Sequence, residues 1–113
     1  MDNRWTSTTF EMPGCRVVST LGVVRGVTVR SAHFGSQIAA GLRSLGGGRI
    51  DEYAQMCEQA RAEAFTIMLA HAEQVGANAV LGVRYDATEL AQNMTEVIAY
   101  GTAAVVEAEA SAT

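Results

Sequence analysis

The sequence predicts an α+β subunit with elements in the order β-α-α-β-β, in which a three-stranded antiparallel sheet packs on a long helix. Three observations carry this prediction: a β-branched run from Val17 to Val29, a helical period that starts at Asp51 and stops at Gly76, and two β-type runs in the last third. At 113 residues the chain has the size of one domain. Folding should bury roughly 65% of its unfolded surface.

Residues 1–14 read as an N-terminal extension that closes with a turn at Pro13-Gly14. The run Val17–Val29 is rich in β-branched residues and interrupted by Gly22 and Gly26, so it predicts one bent strand or a tight pair. Ser31 can cap a first helix on which Phe34, Ile38, Leu42 and Leu45 recur about once per turn, before Gly46-Gly47-Gly48 stops it. Asp51 then suits the positive end of a second helix that extends to Val75. Tyr53, Cys57, Ala60, Ala64, Ile67, Met68 and Val75 share its apolar period, Glu58, Arg61 and Glu63 fall elsewhere on the wheel, and Gly76 is a left-handed stop.

Strands are expected over Ala79–Tyr85 and Thr95–Val106, joined by the polar stretch Glu89–Asn93, with a frayed tail over 107–113. In the last strand Val97, Ala99, Gly101, Ala103 and Val105 alternate with Glu96, Ile98, Tyr100, Thr102, Ala104 and Val106, so neither face is plainly polar. An antiparallel sheet of this size normally has one solvated face. The simplest account is that helices cover one face and another subunit covers much of the other.

Composition excludes several chemistries. All 8 basic residues are arginines. Without a lysine the chain has no side-chain amine for a Schiff base, a pyridoxal-phosphate anchor or a phosphate-binding loop. A net charge of −4 argues against nucleic acid, which demands clustered cations. The polar opening Met1-Asp2-Asn3-Arg4-Trp5 and the lack of any long apolar stretch predict a soluble, cytoplasmic protein with no membrane partner. Cys15 and Cys57 are then expected to be reduced thiols.

Five motifs together carry a family resemblance: Gly22-Val23-Val24-Arg25-Gly26; Gly47-Gly48-Arg49 followed by Tyr53; Ala60-Arg61 with Ala64-Phe65; Gly76-Ala77-Asn78-Ala79-Val80-Leu81-Gly82-Val83; and Tyr100-Gly101-Thr102-Ala103. In these the chain resembles the YbjQ-like family of small, uncharacterised bacterial proteins, whose name carries the phrase "putative heavy-metal-binding". Val27 departs from a glutamate common in that family. The resemblance implies a dodecin-like subunit that assembles into a homopentameric ring, and a metal ion as the one implied cofactor. It implies no reaction.

A metal site needs about four converging ligands for a structural zinc. Cys57 and His71 lie 14 positions apart on the predicted helix, about 21 Å along its axis, and cannot share an ion within one chain. Only ring symmetry, which repeats each ligand, makes Cys57 or His71 a metal candidate. Gly47, Gly48 and Arg49, feeding a helix start, can hold a small anion through backbone amides, the helix dipole and a guanidinium, and Tyr53 and Arg61 extend that surface. The competing reading is a tight reversal between helices. No serine has the nucleophile-elbow context, and no catalytic residue is assigned. The sequence therefore favours a non-enzymatic homo-oligomeric binding module for a metal ion or small ligand at intersubunit surfaces. The alternatives are an enzyme with an intersubunit site at Arg49, Tyr53 and Arg61, or a scaffold for protein partners.

Overall fold

The computed structural model describes residues 5–30, 50–91 and 94–109, with helix side chains described from residue 54 onwards. Within these residues the order is β1 (Cys15–Arg30), α1 (Ile50–Gln74), β2 (Ala79–Ala91) and β3 (Met94–Ala108). The strands form one antiparallel sheet in the order β1-β3-β2, which is the three-stranded arrangement expected. The first helix expected after Ser31, together with Gly47, Gly48 and Arg49, lies outside the described residues.

The Val17–Val29 run is one strand, not a pair. It stays in register with β3 by slipping between Val17 and Ser19 and again between Thr20 and Gly22, where Gly22 takes a positive φ of 96°. The strand ends are longer than expected. Glu89 pairs with Thr95 and Ala91 with Met94, so the polar stretch assigned to a connection is largely the tip of a hairpin. Polar side chains do not prevent this, because backbone pairing there needs no buried face. At the other end, Glu107 and Ala108 pair with Arg16 and Cys15.

Helix α1 is described from Ile50. It ends as the sequence predicts: the Ala77 N–H reaches the Ala72 carbonyl (3.0 Å), the Gly76 N–H reaches that of Glu73 (3.0 Å), and Gly76 has φ 90°. This is a Schellman closure, with its 6→1 and 5→2 bonds both made.

The buried stripe of α1 is Ala60, Ala64, Met68 and Ala72, spaced four residues apart. Three alanines in four turns let the helix backbone sit close to the sheet. Gly26 is where it touches: a Cβ there would overlap the Ala64 carbonyl oxygen and the Met68 amide nitrogen, and would lie 2.9 Å from Ile67 Cβ. Around this contact Met68, Leu69 and Ala72 pack with Val24, Val80, Val83, Val97, Ala99 and Ala103. Ile67 and Val75, expected inside, are each 41% exposed, and Cys57 is exposed as well. The narrow alanine stripe leaves these flanking positions beside the sheet rather than over it.

The opposite sheet face has its own small core of Met12, Ala79, Leu81, Ala104 and Val106, with Cys15 against it. Part of the burial assigned to a neighbouring subunit thus comes from the chain's own N-terminal segment. That segment runs along the outer edge of β2: the Ser7 N–H reaches the Val80 carbonyl (3.0 Å), the Val83 N–H that of Ser7 (2.9 Å) and the Gly82 N–H that of Thr9 (2.8 Å). Arg84 Nη1 donates to the Thr8 carbonyl at 2.8 Å. The Phe10 ring lies over Gly82, where a Cβ would come 2.9 Å from it.

Candidate functional site

The surface of α1 near β2 carries a group of charged and aromatic side chains. Arg61, the one sequence-derived ligand residue whose side chain is described, lines a cavity of about 400 Å³ with Thr6, Glu58, Ala62, Phe65 and Tyr85. Three elements meet there. The helix supplies Glu58, Arg61, Ala62 and Phe65 from neighbouring turns, β2 supplies Tyr85, and the N-terminal segment supplies Thr6. Phe65 and Tyr85 stack with ring centroids 6.4 Å apart and planes 27° off parallel, which gives the cavity an aromatic wall. Burial, and then the negative charge of Glu58, raise the Tyr85 phenol above its ordinary value, with Arg61 opposing them. The phenol is therefore a neutral hydrogen-bond donor at pH 7.

Neither Glu58 nor Arg61 is hydrogen-bonded or ion-paired among the described residues. The contrast is Glu63, one turn from Gln59 on the flank facing β1. Its carboxylate accepts from Thr28 Oγ1 at 2.9 Å and from Arg30 Nη2 at 2.9 Å. The Thr28 hydrogen bond, followed by the Arg30 charge, holds the Glu63 carboxyl below its usual value. Glu63 is thus committed to tying α1 to β1, whereas Glu58 and Arg61 remain available to a ligand.

Sequence reasoning found Arg61 but not its partners. Tyr85 and Thr6 reach it only through pairings with distant segments, and Glu58 reads from sequence as an ordinary solvated helix residue. Tyr53 lies in the first turn of α1, and its side chain is outside the described residues.

The metal candidates do not converge. Cys57 is a free, exposed thiol, so its expected place as a small core residue is not what the structure has. His71 is partly buried, and its Nδ1 accepts the Arg25 N–H at 3.2 Å. An imidazole that accepts at Nδ1 carries its proton on Nε2, and freeing Nε2 for a metal would forfeit this bond. No group of three or more His, Cys, Asp or Glu that could hold a metal ion occurs among the described residues.

A second cavity, of about 480 Å³, lies at the far end of the sheet between Trp5, Cys15, Glu73, Ala77, Asn78, Val106 and Ala108. Asn78 is fully engaged there: its amide nitrogen donates to the Val106 carbonyl (2.9 Å) and its oxygen accepts the Val106 N–H (2.8 Å). The side chain substitutes for a strand residue and fixes where β3 meets the helix exit.

A family model described as "Putative heavy-metal-binding" matches residues 5–107. The chain belongs to the YbjQ family. It is similar to UPF0145 proteins from Solibacter usitatus (47% identical, covering 92% of this chain and 93% of that one) and Sulfurisphaera tokodaii (56%, covering 88% of each). A further UPF0145 protein, from Methanoregula boonei, is 52% identical over 89% of this chain and 84% of its own length. The family is not confined to bacteria, as the resemblance implied, because archaeal relatives are among these. Among solved structures, a crystal structure of a protein of unknown function from the DUF74 family of Pediococcus pentosaceus has a TM-score of 0.61, with 18% identity, 94% of this chain covered and 100% of that one. At that identity the likeness shows the fold alone.

Proposed function

We propose that this protein is a non-enzymatic binding module that works as a homo-oligomer, a pentameric ring of dodecin-like subunits, and takes a small ligand or metal ion at surfaces between subunits in the cytoplasm. The observation that carries this reading is the uncovered sheet face. Val23, Val27, Val29, Ile98 and Tyr100 lie on one side of β1 and β3, opposite α1, and Val23 is 71% exposed. Exposed apolar side chains gathered on one face, with Arg25 between Val23 and Val27 and Glu96 beside Val29 as the charges among them, mark an interaction site. β1 is an edge strand of the sheet, and at Arg25 its outward N–H is capped within the chain by His71.

The ligand side of the proposal rests on Arg61 and its cavity, together with Gly47, Gly48, Arg49 and Tyr53 as the anion-binding residues that the sequence predicts. A metal ion would be held through symmetry-repeated Cys57 thiols, an arrangement supported by the exposure of that side chain; His71, already engaged, is the weaker candidate. Size-exclusion chromatography with light scattering on Val23→Asp and Val27→Asp tests the assembly. Both variants should elute as smaller species than the wild type, and an unchanged mass for both would reject this face as the interface.

A further inference from the structure

Glu58 and Arg61 stand three residues apart on α1, on the same side of the helix, and line one cavity beside a stacked Phe65–Tyr85 pair. Residues at this spacing have Cβ atoms about 5–6 Å apart, so their charged ends can engage two groups carried on a single small molecule. One end is a carboxylate, the other a guanidinium, and neither is committed elsewhere among the described residues. The Tyr85 hydroxyl adds a neutral donor, and the aromatic faces offer an apolar wall. The site is an open groove, with Glu58, Arg61, Ala62 and Tyr85 exposed along it, and its volume of about 400 Å³ is large enough for a small molecule.

From this arrangement we infer that the cavity binds a zwitterion of the α-amino-acid class with an apolar or aromatic side chain. Arg61 takes the ligand carboxylate in a two-pronged, charge-assisted contact, the geometry for which a guanidinium is suited. Glu58 takes the ammonium group, and the side chain lies against Phe65 and Tyr85, where an aromatic ring would extend the existing stack. A ligand with one charge would engage one of the two residues and leave the other in water, forming one charge-assisted contact instead of two. Discrimination therefore comes from the pair, not from either charge. This inference rests on the reading of the protein as a binding module, and names the ligand class for Arg61; it does not depend on the ring.

The test is isothermal titration of the full chain with three probes of one shape: L-phenylalanine, 3-phenylpropanoate and phenethylamine. L-Phenylalanine should bind about tenfold or more tightly than either singly charged probe, the difference expected when one charge-assisted contact is lost. Glu58→Gln should weaken L-phenylalanine to the level of 3-phenylpropanoate while changing 3-phenylpropanoate itself by less than about twofold, and Arg61→Gln should do the same relative to phenethylamine. In the wild type, NMR signals of the Phe65 and Tyr85 rings should shift with L-phenylalanine. Equal affinity for all three probes, or aromatic signals that stay unmoved at millimolar L-phenylalanine, overturns the inference. Light scattering on the same samples separates the two proposals: an oligomer that does not discriminate the probes refutes the ligand class alone, and a monomer that does discriminate them refutes the ring alone.

Discussion

Gly26→Ala should destabilise the fold more than any other single-methyl change among the described residues. The new Cβ would meet the carbonyl oxygen of Ala64 and the amide nitrogen of Met68, both backbone atoms of α1, as well as Ile67 Cβ at 2.9 Å. A side chain can rotate away from such a contact, but a helix backbone cannot, so α1 must lift off β1 and loosen Met68 and Val24, two of the most deeply buried residues. Overpacking a core costs about 1–3 kcal/mol and more where backbone must move, offset by about 0.4–1 kcal/mol from the stiffer unfolded chain. The net expectation is a loss of about 2 kcal/mol, or a fall in Tm of about 8 °C for a domain of this size. Urea unfolding followed by circular dichroism measures it. Wild type and variant must be compared at one protein concentration, since the proposed association would contribute to apparent stability. A loss below about 0.5 kcal/mol with an unchanged slope would refute the claim that Gly26 sets the helix–sheet distance.

Three other outcomes follow from the same contacts. Asn78→Ala removes both bonds to Val106 and leaves that strand's N–H and carbonyl without their partner, so it should cost about 1–3 kcal/mol in urea unfolding. Glu63 has a depressed carboxyl in the folded state, so its stabilisation is complete above the unfolded value, near 4.5, and is lost as pH falls through the lower folded one. The stability difference between wild type and Glu63→Gln should therefore be constant near neutral pH and shrink below about pH 4.5, as acid titrations of unfolding would show. His71→Ala removes the acceptor of the Arg25 N–H, and hydrogen exchange at that amide should accelerate while the Val24 amide stays protected.

The parts of this fold that are legible in the sequence are those encoded locally. The periodic alanines, the Gly76 stop and the β-branched runs each place an element from within a dozen residues, and α1, β1, β2 and β3 all lie where these signals put them. What escapes is encoded at a distance. The N-terminal segment carries no strand pattern, yet it docks because the Leu81–Arg84 bulge and Gly82 leave room for Phe10 and present free backbone groups to Ser7 and Thr9. The site divides in the same way. Arg61 was legible as a helix cation within a family motif, but Tyr85 comes to Phe65 only through pairing across β3, and no spacing in the chain announces that meeting. Cys57 shows the opposite error: the helical period placed it with the core, whereas the alanine stripe that faces the sheet begins at Ala60.

The proposed assembly and its ligands are tested most directly by native mass spectrometry of the full chain, before and after titration with zinc. The account predicts a species of about 60 kDa, five chains of 11.9 kDa each, that retains zinc in the wild type and loses it in Cys57→Ser. A single species at 11.9 kDa under native conditions would contradict it.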